Sequence, residues 1–312
     1  ELVKASNQYW GEIIDVSSFY GRSTELRQLQ QWVIGGGTHP ERNRCRLVAI
    51  LGMGGMGKTT LAAKLVKQVQ DEFEFVIWHS LRNAPPIAEV LTTSIQCLSK
   101  QQEPSLPMST GDLIAQLIEY LRSHRCLLIF DNFDAVLRGI NESVSSPRSL
   151  AGQYREGFEE YEEILGKLGS ELHSSCLLLT SREKPKVLTP LEGKTLPVRA
   201  LSLTGLSAVE MQEIFKVDGC FTQAEADWDC IRESYAGNPL ALKIVSTTVR
   251  DVFDGSITEF LAQGSIAFGD INLLLDEQFR RLSDLEKQVM YWLAIAREWV
   301  SLAELREDFV PS

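Results

Sequence analysis

From residue 45 to residue 203 the sequence alternates between two textures. Short, largely apolar runs at residues 47–51, 73–81, 126–130, 176–180 and 198–203 have the length of strands, and the unbroken run 47–51 reads as one buried on both faces. Between them, apolar residues return at helical spacing. One set is Leu61, Leu65, Val66 and Val69, a second is Ile87, Val90, Leu91, Ile95 and Leu98, and a third is Leu113, Ile114, Leu117, Ile118 and Leu121. Ahead of the first strand, Leu26, Leu29, Trp32 and Val33 mark another amphipathic helix behind a turn at Gly21-Arg22. Strands alternating with helices predict an α/β fold with a parallel, doubly wound sheet, whose ligands gather at the carboxyl ends of the strands.

After residue 203 the texture becomes wholly helical. Ser207 with Glu210, Thr222 with Glu225, Ser256 with Glu259, Ser283 with Glu286 and Ser301 with Glu304 each fit the capping box S/T-x-x-E, which predicts a succession of short helices. Gly237-Asn238-Pro239-Leu240 reads as a turn feeding a helix with Leu240, Ile244, Val245, Thr248 and Val249 in phase, and Val289, Trp292, Leu293 and Ala296 mark one more from Leu285. Residues 1–18 lack periodicity and read as a linker or entry segment, with Trp10 either a docking residue or solvated. Residues 35–44 read as a flexible connection, residues 138–157 as a surface loop, and the acidic run 156–169 as the solvated face of a helix.

Charge and cysteine usage narrow the function classes. Lysine and arginine number 31 against 42 acidic residues, a net charge of −11, which argues against nucleic acid or an anionic membrane as partner of the whole surface. The six cysteines show no C-x-x-C and no metal spacing, and read as reduced packing residues in a cytoplasmic compartment. Neither a signal peptide nor a run of eighteen apolar residues is present. With no initiator Met and an abrupt end, the sequence reads as a piece of a longer chain.

The chemistry concentrates behind the first strand. Gly52, Gly57, Lys58 and Thr59 fit G-x-x-x-x-G-K-[ST], a loop whose amides cradle phosphates, and Gly54 and Gly55 free the backbone around Met56 for positive-φ turns. Lys58 is expected to reach the β- and γ-phosphates and Thr59 to put its hydroxyl on Mg²⁺. A helix opening at Thr60 would turn its positive end to the anion. The run into Asp131 has the form of a strand whose carboxylate holds Mg²⁺ from across the sheet. Asn132 follows, and an amide cannot accept a proton at neutral pH. Asp134 is the nearest acidic candidate for a base, and requires the chain to turn directly after Asp131; its alternative is a surface or capping role. Residues 176–180 deliver Ser181 and Arg182 to the same edge, where Arg182 is a candidate γ-phosphate sensor or a surface partner of Glu183.

With these motifs the chain resembles the NB-ARC domains, signal-transducing ATPases of plant disease-resistance proteins, apoptotic protease-activating factors and large bacterial proteins. The resemblance spans about residues 19–310. It rests on Phe19-Tyr20-Gly21-Arg22 with Glu25-Leu26, on GMGGMGKTT, LLIFDN and LLLTSR, and on GNPLAL from Gly237 to Leu242. It implies a P-loop domain over residues 19–205, an all-α helical subdomain over 206–278 and the start of a winged helix from 279. It also implies adenine contacts from the backbone around Tyr20, Gly21 and Arg22 and from Pro239 and Leu240. ATP or ADP with Mg²⁺ is the implied cofactor. The phrases WGEIIDVSSFYGR and WHSLRNAPP resemble a cyanobacterial branch placed between an N-terminal effector and C-terminal β-propeller repeats. The family commonly carries a second acid where Asn132 stands, which implies slow hydrolysis, and its histidine-bearing ADP contact would fall beyond Ser312. The function implied is an exchange or slow-hydrolysis switch that self-associates when ATP-bound. A plain P-loop enzyme lacks support from a substrate-specific acid/base set, and a nucleic-acid-associated ATPase or transcription regulator is opposed by the acidic balance.

Overall fold

A computed structural model describes residues 7–9, 15–16, 19–35, 45–99, 109–137, 152–193 and 195–263. Beyond these it describes 272, 276, 279–280, 282 and 284–296. Six strands, β1 (Asn7–Tyr9), β2 (Leu47–Leu51), β3 (Phe75–Ser80), β4 (Cys126–Asp131), β5 (Cys176–Ser181) and β6 (Val198–Ser202), form one sheet of order β1-β3-β4-β5-β2-β6. Every pairing is parallel. The strand carrying the phosphate loop thus lies between β5 and β6, and β5 separates it from β4.

All residues of β2, β4 and β5 are buried, because both faces of the sheet are covered. Alternate side chains serve opposite cores, as the two-residue period of a strand requires. Leu47, Ala49, Leu128, Phe130, Leu177 and Leu179 pack with α3 (Ile87–Leu98), α4 (Thr110–Ser123) and α5 (Glu160–Ser170). Val48, Ile50, Leu127, Ile129 and Leu178 pack with α1 (Ser23–Ile34) and α2 (Lys58–Val69) on the other face. A third core belongs to the helical part, α6 (Ala208–Val217), α7 (Glu225–Tyr235), α8 (Pro239–Val252) and α9 (Ile257–Ala262), through Met211, Phe215, Ile231, Leu242, Val245 and Phe260. A further helix, α10 (Asp284–Ala296), matches the expected apolar series from Leu285. Among the described residues no helix is long and apolar enough to cross a membrane.

Several expectations are amended. Residues 7–9, read as linker, form an edge strand on β3. Helix α2 opens at Lys58, two residues before Thr60. The end of the presumed surface loop packs inward: Tyr154 is buried and bridges to Leu137. Ser207 makes a full capping box with Glu210, and Ser256 accepts from the Glu259 N–H. Thr222 does not cap; α7 starts after Ala224, and the Thr222 hydroxyl donates to Asp227 at 2.5 Å instead. Ser109 and Asp112 form a box that a search for Glu passes over. Cys230 is exposed, unlike the other five cysteines. Trp10, residues 36–44 and 138–151, Ser283 and residues 297–312 lie outside the described residues.

Phe130 is fully buried in β4 and meets Tyr161 edge-on at 6.4 Å between ring centroids. Phe130→Ala is expected to cost about 3–5 kcal/mol of unfolding free energy, measured by urea denaturation.

Candidate functional site

Strand β2 runs directly into the glycine loop. Gly55 and Gly57 both take φ near 80°, a left-handed conformation open to glycine at little cost, and Gly57 caps α2 in it. Lys58, the first residue of α2, is buried and curls over the loop, donating from Nζ to the carbonyls of Gly52 at 2.6 Å and Met53 at 2.9 Å. The Gly52 N–H donates to the Ser181 carbonyl at 3.2 Å, which sets Arg182 beside the loop's first glycine.

Beside the loop stands Asp131, 4% exposed. One of its oxygens accepts from the Thr59 hydroxyl at 2.8 Å and from the Thr180 hydroxyl at 2.5 Å. Burial pushes this carboxyl above the usual range; the two hydroxyls and the Asn132 N–H oppose the shift, and the Asp134 charge adds to it. These are hard oxygen donors from a few side chains, a set that suits Mg²⁺, which keeps several waters and takes its remaining ligands from phosphates. Among the described residues no cluster of three or more His, Cys, Asp or Glu offers a self-sufficient metal cage.

The chain does turn directly after Asp131. Asn132 adopts φ 59°, donates its N–H to Thr180 Oγ1 at 3.0 Å, and opens a short 3₁₀ turn over Phe133–Ala135. Asp134 is brought by this turn to the end of β5. Its Oδ1 accepts from the Arg182 N–H at 3.2 Å, and its Oδ2 lies 3.5 Å from Arg182 Nε. Asp134 therefore holds Arg182 in place.

On the other side of the loop lies a cavity of about 130 Å³, comparable to the roughly 150 Å³ apolar cavities that admit one benzene ring. Met56, Gly57 and Thr60 form one wall, Phe19, Tyr20 and Arg22 a second, and Leu206, Ile214, Pro239 and Lys243 a third. The phosphate loop, the segment ahead of α1 and the helical part thus enclose one space. Arg22 ties the last two together: its N–H donates to Glu210 Oε1 at 2.6 Å and its Nη2 to the Thr204 carbonyl at 2.6 Å. A Cβ on Gly21 would lie 2.2 Å from that same Glu210 oxygen. Burial raises the Glu210 carboxyl, but the N–H groups of Arg22 and Ser207 and the Ser207 hydroxyl outweigh it and hold the group below its ordinary value.

Residues 23–143 match the NB-ARC domain family. Within that span the chain carries an NB-ARC domain. Over 312 residues it is 46% identical to an uncharacterized WD repeat-containing protein of Nostoc sp., an alignment covering 96% of this chain and 24% of that protein. It is 34% identical to the Arabidopsis thaliana disease resistance protein RPM1 over 107 residues, 32% of this chain and 11% of the other. Its fold is similar to that of a Signal Transduction ATPase with Numerous Domains (STAND) protein with a tetratricopeptide repeat sensor from Pyrococcus horikoshii. The TM-score is 0.51 at 17% identity, over 92% of this chain and 36% of that one. The chain spans about a quarter of the length of the WD repeat relative.

Of the residues expected to bind nucleotide, Tyr20, Arg22, Met56, Gly57, Thr60 and Pro239 line the cavity. Gly52, Lys58, Thr59 and Asp131 gather at the loop and the strand end. Gly54, Gly55 and Leu240 sit where loop and helical part meet: the Leu240 N–H faces the Gly55 carbonyl at 3.3 Å, and its side chain is 45% exposed. Sequence reasoning missed Thr180, which holds Asp131; an equally buried hydroxyl would serve any strand. It also absorbed Glu210 into a capping box and Asn238 into a turn, although each bonds across to the P-loop part. Lys243, whose Nζ donates to both oxygens of buried Asp218 at 2.7 and 2.8 Å, was not singled out.

A carboxyl with a raised folded-state pKa stabilises the fold below its unfolded value and loses that contribution as pH rises through the folded one. Asp131→Asn keeps an acceptor for both hydroxyls. The ligand-free variant is therefore expected to melt higher than wild type, by a margin that grows as pH rises from about 4 through the raised folded-state pKa and then levels off, in scanning calorimetry.

Proposed function

We propose that this NB-ARC domain is the adenine-nucleotide switch of a longer signalling protein, in which occupancy of the crevice sets the conformation of the helical part. The observation that carries this reading is the shared cavity: its walls come from the loop, the Tyr20–Arg22 turn and the helical part together. The apolar end, with Pro239 and Ile214, suits a base, and the loop amides beside Gly57 suit phosphates. A ligand spanning both would hold the parts together, and a protein shifts between conformations by as much as the ligand's affinity for them differs.

Thr59 and Asp131 would hold Mg²⁺, whose charge offsets that of the phosphate oxygens. Lys58 would exchange its loop carbonyls for phosphate oxygens, and Arg182, steadied by Asp134, would sense the terminal phosphate. Asn132 cannot take a proton from water, and Asp134 is committed to Arg182, which together support slow hydrolysis and a conformational output. We place the further domains of the switch in the same chain, supported by the WD repeats of the Nostoc relative and the repeat sensor of the Pyrococcus protein. Self-association of the ATP-bound form in the cytoplasm completes the proposal.

Titration calorimetry with Mg²⁺ present tests it. Wild type is expected to take up one ADP or ATP per chain, with steady-state hydrolysis remaining slow. Lys58→Ala should lose on the order of a hundredfold in ATP affinity, the scale of one charge-assisted hydrogen bond of about 3 kcal/mol, while its circular dichroism matches wild type. Unchanged affinity removes Lys58 from its role, and rapid turnover by wild type favours an enzyme over a switch.

A further inference from the structure

We propose that Asn238 is a positioning residue that couples the phosphate loop to the helical part, an inference that rests on the nucleotide-binding reading above. Its side chain makes bonds in two directions. Oδ1 accepts from the N–H groups of Leu240 at 3.1 Å and Ala241 at 3.2 Å, capping α8, while Nδ2 donates to the Gly54 carbonyl at 2.9 Å. The two acceptances on one atom and the donation from the other fix which end of the amide is which.

Capping alone does not select asparagine here. Ser, Thr and Asp serve an N-cap about as well, but Asp has no donor for Gly54 and Ser is too short to span the gap. The loop is shaped to match. Gly55 lies outside the G-x-x-x-x-G-K-[ST] positions, yet a Cβ there would fall 2.6 Å from Asn238 Oδ1 and 3.1 Å from the Leu240 Cβ. Close approach of the Asn238 turn, together with a φ of 80°, accounts for this glycine.

The tie governs a phosphate-binding group. The Gly54–Gly55 peptide is planar and trans, so holding the Gly54 carbonyl toward Asn238 turns the Gly55 N–H to the opposite side of the loop. Displacing the helical part releases this peptide, and a phosphate that engages the loop stabilises the tied arrangement; the coupling is reciprocal.

Asn238→Ser and Asn238→Asp both keep the cap and remove the tie. Each is expected to weaken ADP and ATP by about tenfold, the equivalent of one hydrogen bond of about 1.4 kcal/mol, and to leave adenosine affinity unchanged. Without nucleotide, hydrogen exchange should accelerate across residues 54–57 and stay slow across 241–249. Three outcomes overturn the inference: wild-type ADP affinity in Asn238→Ser with a defect only in Asn238→Asp, which would be charge repulsion; parallel loss of adenosine and ADP; or unchanged exchange in the loop. A wild-type chain that takes up no adenylate refutes the functional reading instead, and the exchange measurement still decides the tie.

Discussion

Backbone amides bind phosphate only when the loop presenting them is held open in one conformation, and in this chain that constraint is met from two sides. From the sheet, β2 enters a loop whose glycines accept left-handed turns, and the Ser181 carbonyl anchors Gly52. From the helical part, the turn at Asn238 docks on Gly54 and Gly55. Residues from both sides line one cavity. Arg22 and Glu210 close the far edge with a short hydrogen bond between segments 188 residues apart. The arrangement of the helical part is therefore inseparable from the shape of the ligand site.

The second constraint is electrostatic. Asp131 is buried where a carboxylate is costly, and it is eased by two hydroxyls and one N–H. That is an uneasy site for an isolated anion and one that suits a carboxylate sharing its charge with a divalent cation. Lys58 meanwhile rests on loop carbonyls, which are weaker partners than phosphate oxygens. Both charges are thus poised for partners that bring opposite charge, and the proposed switch turns that mismatch into a preference for the occupied, closed form.

Sequence alone carried the sheet because burial on both faces writes strands as unbroken apolar runs; β2, β4 and β5 were legible for that reason. The phosphate loop was legible because backbone geometry demands glycine at fixed positions. Asn7–Tyr9 escaped because an edge strand of two amides and one exposed tyrosine pairs on one side only and leaves no apolar run. The role of Asp134 depended on whether the chain turned at Asn132, and an asparagine at φ 59° is a backbone event that residue type only permits. Glu210 and Asn238 look like ordinary capping residues because local capping is a sufficient use for them. Their bonds to Arg22 and Gly54 arise only once the two halves are docked, and no pattern along the chain encodes that.

Whether a ligand in the crevice holds the halves together is open to one direct measurement. Cys230 on α7 is the exposed native cysteine among six, and Asp71→Cys places a second label on the α/β part. Spin-label distances between them are expected to show one narrow distribution with Mg²⁺ and ADP bound and a broad or shifted one after the nucleotide is stripped. Identical distributions in the two states would contradict the account.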